Sequence, residues 1–245
     1  MGSRGLSSTG AKVKPKGWKL NSKNASRYGI ELVYKPSNKL TKQELNKIQK
    51  NLDSSLDTIN TLAEMIGLHT DFIPSVWMSY GKVNDAYGNC RLSLDNRYDA
   101  EINLFHKCIL GESLDSAAHE MVHGLEAMFI KRNITNVADR VNAWQDHFYS
   151  EIIVRNALVA EKLQSSKESK LNFTAWHNAA HTIYRTSEEQ KGAYKYAHRG
   201  PHETITTSVQ MVMRYGDNAS PFAKAVVKEL KREYQRQYRK YKKSK

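Results

Sequence analysis

Apolar residues recur with two different periods, and the change of period divides the chain into a mixed first part and a helical second part. Residues 30–34 alternate between apolar and polar, which predicts a half-buried strand. Thr41 and Glu44 then form a capping box, and apolar residues step by three and four as far as Gly67, which predicts a long amphipathic helix. The apolar stripe consists of Leu45, Ile48, Leu52, Leu56, Ile59 and Ala63.

Three short strand-like runs follow that helix. They cover residues 75–80, 86–94 and 101–105, and the segments between them are rich in turn-forming residues. An antiparallel meander is the simplest arrangement of such runs. Residues 114–130 are then apolar on a broad face, which predicts a largely buried helix.

From residue 134 onward the pattern is helical throughout. One long helix is predicted over about 138–159, and further helices over about 172–186, 201–215 and 219–241. Pro201 suits the first position of its helix, and Gly216 suits the end.

The helix over 114–130 carries the sequence HExxH, as His119, Glu120 and His123. Residues four apart lie on one face of a helix, so both imidazoles can bind one ion. Glu120 lies about 100° round the helix from His119, where it can reach a metal-bound water without binding the metal. The motif therefore predicts a zinc site with Glu120 as general base. The alternative is an ordinary helix whose histidines pair with carboxylates.

Charge is concentrated at the two ends of the sequence. The formal net charge is +13, but residues 1–28 carry seven Lys or Arg and no acid, and residues 224–245 carry ten Lys or Arg against two Glu. These ends together hold +15, and the 195 residues between them hold −2, from 21 basic and 23 acidic residues. At the C-terminal end the pattern is typical of a helix docked by its tyrosines, with a solvated basic face. The alternative is that the basic ends contact nucleic acid or another polyanion.

Cysteine usage and hydropathy give an expectation about the compartment. Cys90 and Cys108 lack CxxC spacing, which favours a reducing environment. No apolar run approaches 18 residues, and the first residues hold no apolar signal segment. We therefore expect a soluble cytoplasmic protein without membrane contact; the sequence does not define its oligomeric state.

Residues 28–130 resemble the N-terminal lobe of the zincin metallopeptidases. Both have the same order of elements, which is a strand, a long helix, several short strands and then the HExxH helix. The resemblance implies an α+β, zincin-like fold, with a small, mostly antiparallel sheet, a long helix and the HExxH helix, followed by an all-helical C-terminal lobe. In that family the last strand before the helix is the sheet edge that aligns a peptide substrate, and here that role would fall to residues 101–105.

These patterns predict a domain organisation. Residues 1–27 are rich in Gly, Ser and Lys and are expected to form a flexible basic arm. The metallopeptidase domain would cover residues 28–245. It would consist of the N-terminal lobe over 28–130, a helical lobe over 131–222 and a basic C-terminal helix over 223–245.

A catalytic zinc site needs a third protein ligand besides two histidines. Glu126 lies about 10.5 Å along the helix from His119, too far to bind the same ion. The chain resembles the gluzincins, the zincins whose third ligand is a Glu on a later helix, and this resemblance gives the role to Glu203. It also places Thr207 where that family has an Asp that orients a ligand histidine. His202 is the rival third ligand.

Other histidines and a tyrosine are candidates for supporting roles. His198 and Tyr196 precede Glu203 and are candidates for stabilising an oxyanion or for replacing a ligand, against the alternative of surface loop residues. His177 and His181 form a second pair four residues apart. Without a Glu between them, an amphipathic helix with polar histidines is the more typical meaning, and a second metal site is the alternative.

The predicted function is a zinc-dependent metallopeptidase that hydrolyses proteins or peptides through a metal-activated water, with Glu120 as general base. The first eight residues, Met-Gly-Ser-Arg-Gly-Leu-Ser-Ser, resemble the openings of phage-encoded and toxin-type proteins. Such an origin would place the protein in a host cytoplasm or with a virion. The alternative function is a phage or mobile-element structural or nucleic-acid-binding protein with a catalytically inactive zincin core, and the basic ends favour it.

Overall fold

The computed structural model describes residues 5–6, 18–19, 23–34, 42–82, 86–105, 108, 115–184 and 197–245. It has an α+β fold with a small mixed sheet and more helix than strand. The chain forms two compact units. The first unit comprises Met1–Ala63 and His69–Trp144, and the second comprises Glu64–Leu68 and Gln145–Lys245.

The sheet belongs to the first unit, and its described strands lie in the order β1, β5, β6, β4, β3, β2. They are β1 (Gly5–Leu6), β2 (Trp18–Lys19), β3 (Ile30–Tyr34), β4 (Val76–Lys82), β5 (Gly88–Leu92) and β6 (Ala100–Phe105). Three neighbouring pairs are parallel and two are antiparallel. The predicted mostly antiparallel sheet is therefore wrong, and the sheet is mixed.

A helical crossover accounts for one of the three parallel pairs, that of β3 with β4. Helix α2 (Lys42–Ile66) connects β3 to β4, and a connection of that length returns the chain in the same direction. Ile30 consequently lies opposite Val76, and Tyr34 opposite Tyr80. The long amphipathic helix predicted before Gly67 is confirmed, and Gly67 ends it at a φ of +72°. Thr41, the proposed cap, lies outside the described residues.

The strand that precedes the HExxH helix lies inside the sheet. β6 pairs with β4 on one side and with β5 on the other. A meander would place β5 between β4 and β6, so the predicted meander is wrong. The edge role given to residues 101–105 is also wrong, because hydrogen bonds to two neighbouring strands occupy both sides of β6. Ile102 and Leu104, which are fully or almost fully buried, fit this interior position.

Short elements occur within the segment predicted as a flexible arm. β1 pairs in parallel with Arg91 and Leu92 of β5. β2 pairs in antiparallel fashion with Val33 and Tyr34 of β3. Helix α1 (Lys23–Arg27) precedes β3 directly.

The HExxH helix packs against the sheet. α3 (Ser116–Asn133) contacts β5 and β6, and every residue from 121 to 130 is buried. This confirms a largely buried helix that covers most of the predicted 114–130. Gly111, Ser113 and Leu114, which the sequence places before or at its start, lie outside the described residues.

The helices that follow depart from the sequence prediction at one point. The predicted helix over 138–159 is two helices, α4 (Val137–Gln145) and α5 (Phe148–Ala160). His147 separates them in a left-handed conformation at a φ of 54°. In the sequence the apolar residues continue at steps of three and four from Trp144 to Phe148 and Ile152, so the pattern did not reveal the break. In the structure Phe148 is exposed, and the buried face of α5 begins at Tyr149 instead.

The second unit is helical in its described part. α6 (Phe173–His181) is capped by the side chain of Asn172, α7 (Pro201–Tyr215) has the predicted bounds, and α8 (Pro221–Lys243) is capped by Ser220. α5 packs against α6, α7 and α8, and α7 also packs against α8.

The basic C-terminal helix α8 buries one face and exposes the other. Tyr234 is fully buried, whereas Tyr238 and Tyr241 are half-buried. Buried Glu233 accepts hydrogen bonds from Arg236 Nε at 2.7 Å and Nη2 at 2.6 Å. Acidic residues of the same helix thus compensate part of its positive charge. Among the described residues, no helix has both the length and the apolar character needed to cross a membrane.

Candidate metal centre

His119 and His123 lie one turn apart on α3 in the first unit. Their ring centroids are 5.1 Å apart, and the ring planes meet at 79°. His123 is only 4 % exposed, whereas His119 is partly exposed. Imidazoles so placed can converge on one ion. Helix α3 therefore offers two metal ligands, one of them within reach of solvent.

The carboxylate of Glu120 is packed against the start of β5. Glu120 is 4 % exposed. A Cβ atom added to Gly88 would lie 2.7 Å from Oε1 of Glu120 and 2.8 Å from its Cγ. A side chain at position 88 would therefore require the carboxylate or the strand to shift, and the β5 backbone lies close to the carboxylate of Glu120. The motif predicted the role of Glu120, but no local sequence pattern indicated this contact with Gly88.

A buried thiol lies in the electrostatic surroundings of Glu120. Cys108 is fully buried, and its Sγ lies 3.7 Å from the hydroxyl oxygen of Ser55. Burial is the main cause that raises the pKa of the Cys108 thiol to about 11, and the charge of Glu120 adds to it, while hydrogen bonds from Ser55 and Ser116 oppose it. The thiol is therefore neutral at physiological pH.

Glu203, the predicted third ligand, lies in the first turn of α7 in the second unit. It is 2 % exposed, and the hydroxyl of Thr206 lies 3.3 Å from its Oε2. Nε2 of His202 lies 3.6 Å from its Oε1. A carboxylate this buried needs hydrogen bonds or a cation to offset its desolvation. Its burial is consistent with a ligand role, and its binding to the ion at His119 and His123 stays a prediction.

His202, the rival ligand, is held against another histidine. Its ring stacks on that of His147, with the centroids 3.8 Å apart and the planes 28° apart. A Cβ atom on Gly200 would lie 2.6 Å from Cε1 of His202, so a larger residue there would require the imidazole or the backbone to shift. The sequence did not indicate that His147 belongs beside His202, because the two are 55 residues apart.

Thr207 is buried one turn after Glu203. It is 2 % exposed, and in the described part of the chain its hydroxyl has no hydrogen-bond partner. The hydroxyl is thus available to accept a hydrogen bond from an imidazole N–H, the role that the resemblance assigns to it. That role stays a prediction.

The other two candidate residues of the sequence analysis are His198 and Tyr196. His198 lies beside His177 and His181, with ring centroids 4.8 and 4.0 Å from theirs. Tyr196 lies outside the described residues. The sequence identified the pair on α6 but did not associate His198 with it, since the two segments are separated by 16 intervening residues.

The donor set of the HExxH centre fits zinc. Zinc binds imidazole nitrogen and carboxylate oxygen, and a catalytic zinc commonly has three protein ligands. His119 and His123 provide two imidazoles on one helix, and Glu203 would provide the carboxylate. The residue types agree with zinc better than with magnesium or calcium, which prefer sets of oxygen ligands.

Comparison with known proteins finds no relative: no family model, no curated protein and no solved structure matches this chain.

Proposed function

We propose that this protein is a zinc-dependent metallopeptidase with a zincin-like fold. The observation that carries the proposal is the arrangement on α3, where the rings of His119 and His123 lie 5.1 Å apart and the carboxylate of Glu120 is buried beside them. A carboxylate costs free energy when it is buried, and a general base at a metal site is a chemical reason for its presence.

The proposed ligands are His119, His123 and Glu203. Glu203 is preferred to His202 because the imidazole of His202 is stacked on His147 and enclosed by Gly200. Glu203 offers a buried carboxylate in the first turn of α7, directly after His202.

Glu120 would act first as general base and then as general acid. Bound zinc would supply Lewis acidity, which polarises a carbonyl and lowers the pKa of water. Glu120 would accept a proton from the attacking water and deliver it to the leaving amine. Contact with Gly88 would hold the carboxylate in one orientation throughout this transfer.

A peptide substrate would pass close to the start of β5. Gly88 lies there, and a Cβ atom on it would be 2.7 Å from Oε1 of Glu120, the proposed base. A peptide whose carbonyl is attacked by a water that Glu120 activates would therefore lie near this end of the strand.

Cleavage of an unbiased peptide library, with the products identified by mass spectrometry, tests this proposal. The zinc-loaded wild type should cleave peptides, and Glu120→Gln should be slower by about 10²- to 10⁴-fold at unchanged zinc content. Glu126→Gln, on the same helix and 5 % exposed, is the matched control and should retain cleavage within a few-fold. Absence of cleavage by the wild type, or full activity of Glu120→Gln, would contradict the proposal.

A further inference from the structure

Three histidines of the second unit converge outside the HExxH centre. His177 and His181 lie one turn apart on α6, with ring centroids 5.0 Å apart. His198, from the segment before α7, lies 4.8 Å from the first ring and 4.0 Å from the second. One nitrogen from each ring lies within 4.8 Å of the other two, and all three residues are half-buried. The cluster is accessible without being fully solvated.

Buried hydrogen bonds hold the His198 segment beside α6. Trp176, which precedes His177, donates from Nε1 to the hydroxyl of Thr204 on α7 at 2.8 Å. That hydroxyl donates in turn to the carbonyl oxygen of Ala197 at 2.7 Å. The amide of Ala197 donates to the hydroxyl of Tyr184 at 3.3 Å. These four residues are at most 4 % exposed, so the neighbours of two of the clustered histidines are fixed by internal contacts.

The remaining contacts also orient α6. The side chain of Asn172 accepts a hydrogen bond from the amide of Ala175 at 3.0 Å and so caps the helix. The ring of Phe173 stacks on His177, with the centroids 6.2 Å apart. Because the helix start is fixed, His177 and His181 keep a common direction toward His198.

The three rings offer the same kind of ligand atom at short range. A neutral imidazole has a nitrogen lone pair that a metal ion can accept. Three imidazoles with one nitrogen each within 4.8 Å of the other two therefore suit a metal cation as their common partner.

We propose that His177, His181 and His198 form a second transition-metal site, independent of the HExxH centre, with Zn²⁺ as its ion. Around a tetrahedral zinc with Zn–N bonds of about 2.05 Å, ligand nitrogens lie about 3.3 Å apart. The widest nitrogen separation would have to shorten by about 1.5 Å from the 4.8 Å limit, which small rotations of half-buried rings supply. A site of three imidazoles leaves a fourth position for water or another ligand.

Such a site would connect two parts of the second unit. The ion would join α6 to the segment that leads into Pro201 and α7. It adds a metal link to the hydrogen-bonded path through Thr204, and the cluster lies only four residues before His202 in the sequence. Metal binding at the cluster would therefore rigidify the start of α7.

Zinc stoichiometry in the full-length protein tests the inference. Metal-free protein is loaded with Zn²⁺, desalted and measured by mass spectrometry for the metal. The wild type should hold two ions per chain, and His198→Asn and His177→Asn should each hold one. Asn178→Ala, an exposed change on the same helix, is the matched control and should hold two. Loss of a ligand should weaken binding at this site by more than about 100-fold.

A second variant, which lacks both histidines of the HExxH motif, distinguishes this site from the HExxH centre. In His119→Asn with His123→Asn, one ion should remain, and Co²⁺ bound in its place should show the visible bands of a tetrahedral site. Addition of His198→Asn should abolish this binding. The inference is overturned if the double variant binds no Co²⁺ or Zn²⁺, or if His198→Asn and His177→Asn retain the wild-type content. By contrast, full zinc content in the double variant would oppose the HExxH centre and not this one.

Discussion

The carboxylate of Glu120, on α3, occupies the space where a side chain of residue 88, on β5, would lie. The free space beside Gly88 is smaller than a methyl group, because a Cβ atom there would lie 2.7 Å from Oε1 of Glu120. The start of β5 and the carboxylate of the proposed base therefore meet at this pair of residues. A change at Gly88 must move the carboxylate, the strand or both.

Gly88→Ala should reduce peptide cleavage without removing zinc. The new methyl group would displace Glu120, and a displacement of about 1 Å at a reacting group can cost about 10²-fold in rate. The three atoms nearest to the new methyl group all belong to Glu120 and none to a proposed metal ligand. The measurement is kcat and zinc content of the variant beside the wild type.

Gly124→Ala is the matched control for that substitution. A Cβ atom at Gly124 would meet its nearest atoms at 3.7 to 3.8 Å, which is ordinary contact. Alanine also favours the helix by about 1 kcal/mol over glycine. Gly124→Ala should fold at least as stably as the wild type and keep its zinc. If Gly88→Ala had the same kcat as the wild type, the role proposed for the position beside Glu120 would be contradicted.

The Cys108 thiol should ionise only at strongly alkaline pH while the protein is folded. Its pKa is about 11, raised by burial from the model-peptide value of 9.0. Because the folded pKa lies above the unfolded one, the neutral thiol stabilises the fold below about pH 9, and this contribution is lost as the pH rises through about 11. Alkylation against pH in a Cys90→Ala protein measures this. A midpoint near pH 9 in the folded protein, equal to that in urea, would contradict the prediction.

Lys162→Gly should stabilise the protein. Lys162 follows α5 in a left-handed conformation with a φ of 59°, which costs an L residue about 1 kcal/mol. The amide of Leu163 donates to the carbonyl oxygen of Leu158 at 2.8 Å, and that of Lys162 donates to Val159 at 3.1 Å, the pattern of a helix end where glycine is preferred. The side chain is exposed, so its removal costs little.

Thermal unfolding measures the effect of Lys162→Gly. The expected rise in Tm is about 2 to 4 °C, the usual change for about 1 kcal/mol in a protein of this size. Glu161→Gly is the control, because Glu161 has a φ of −84° and glycine gains nothing there. A lower Tm for Lys162→Gly than for the wild type would contradict the prediction.

Much of the helical structure could be predicted from the sequence. Helix α2 ends near Gly67 and α7 runs from Pro201 to Tyr215 as predicted, because an apolar stripe and a terminal Gly or Pro specify a helix locally. The HExxH helix was predictable for the same reason. Its two histidines lie on one face as a direct consequence of helical geometry.

Features that depend on distant pairing were not predictable. The period of a strand shows which face is buried but not which strand lies beside it, so β6 was expected at the sheet edge and lies between β4 and β5. The break between α4 and α5 occurs at His147, which has a left-handed backbone conformation. The spacing of apolar residues contains no information about that conformation. The contact of Gly88 with Glu120 and that of His198 with α6 join segments far apart in sequence, and neither residue has a local pattern that indicates its partner.

The most direct test of the proposed metallopeptidase centre is its zinc content. We would load the wild type, His123→Ala and Glu203→Ala with zinc, desalt them and compare the zinc bound per chain. Each variant should hold one zinc ion fewer per chain than the wild type, because each removes a ligand of the same ion. Circular dichroism of the three proteins should be the same. Wild-type zinc content in His123→Ala would contradict the centre itself, and wild-type content in Glu203→Ala would contradict Glu203 as its third ligand.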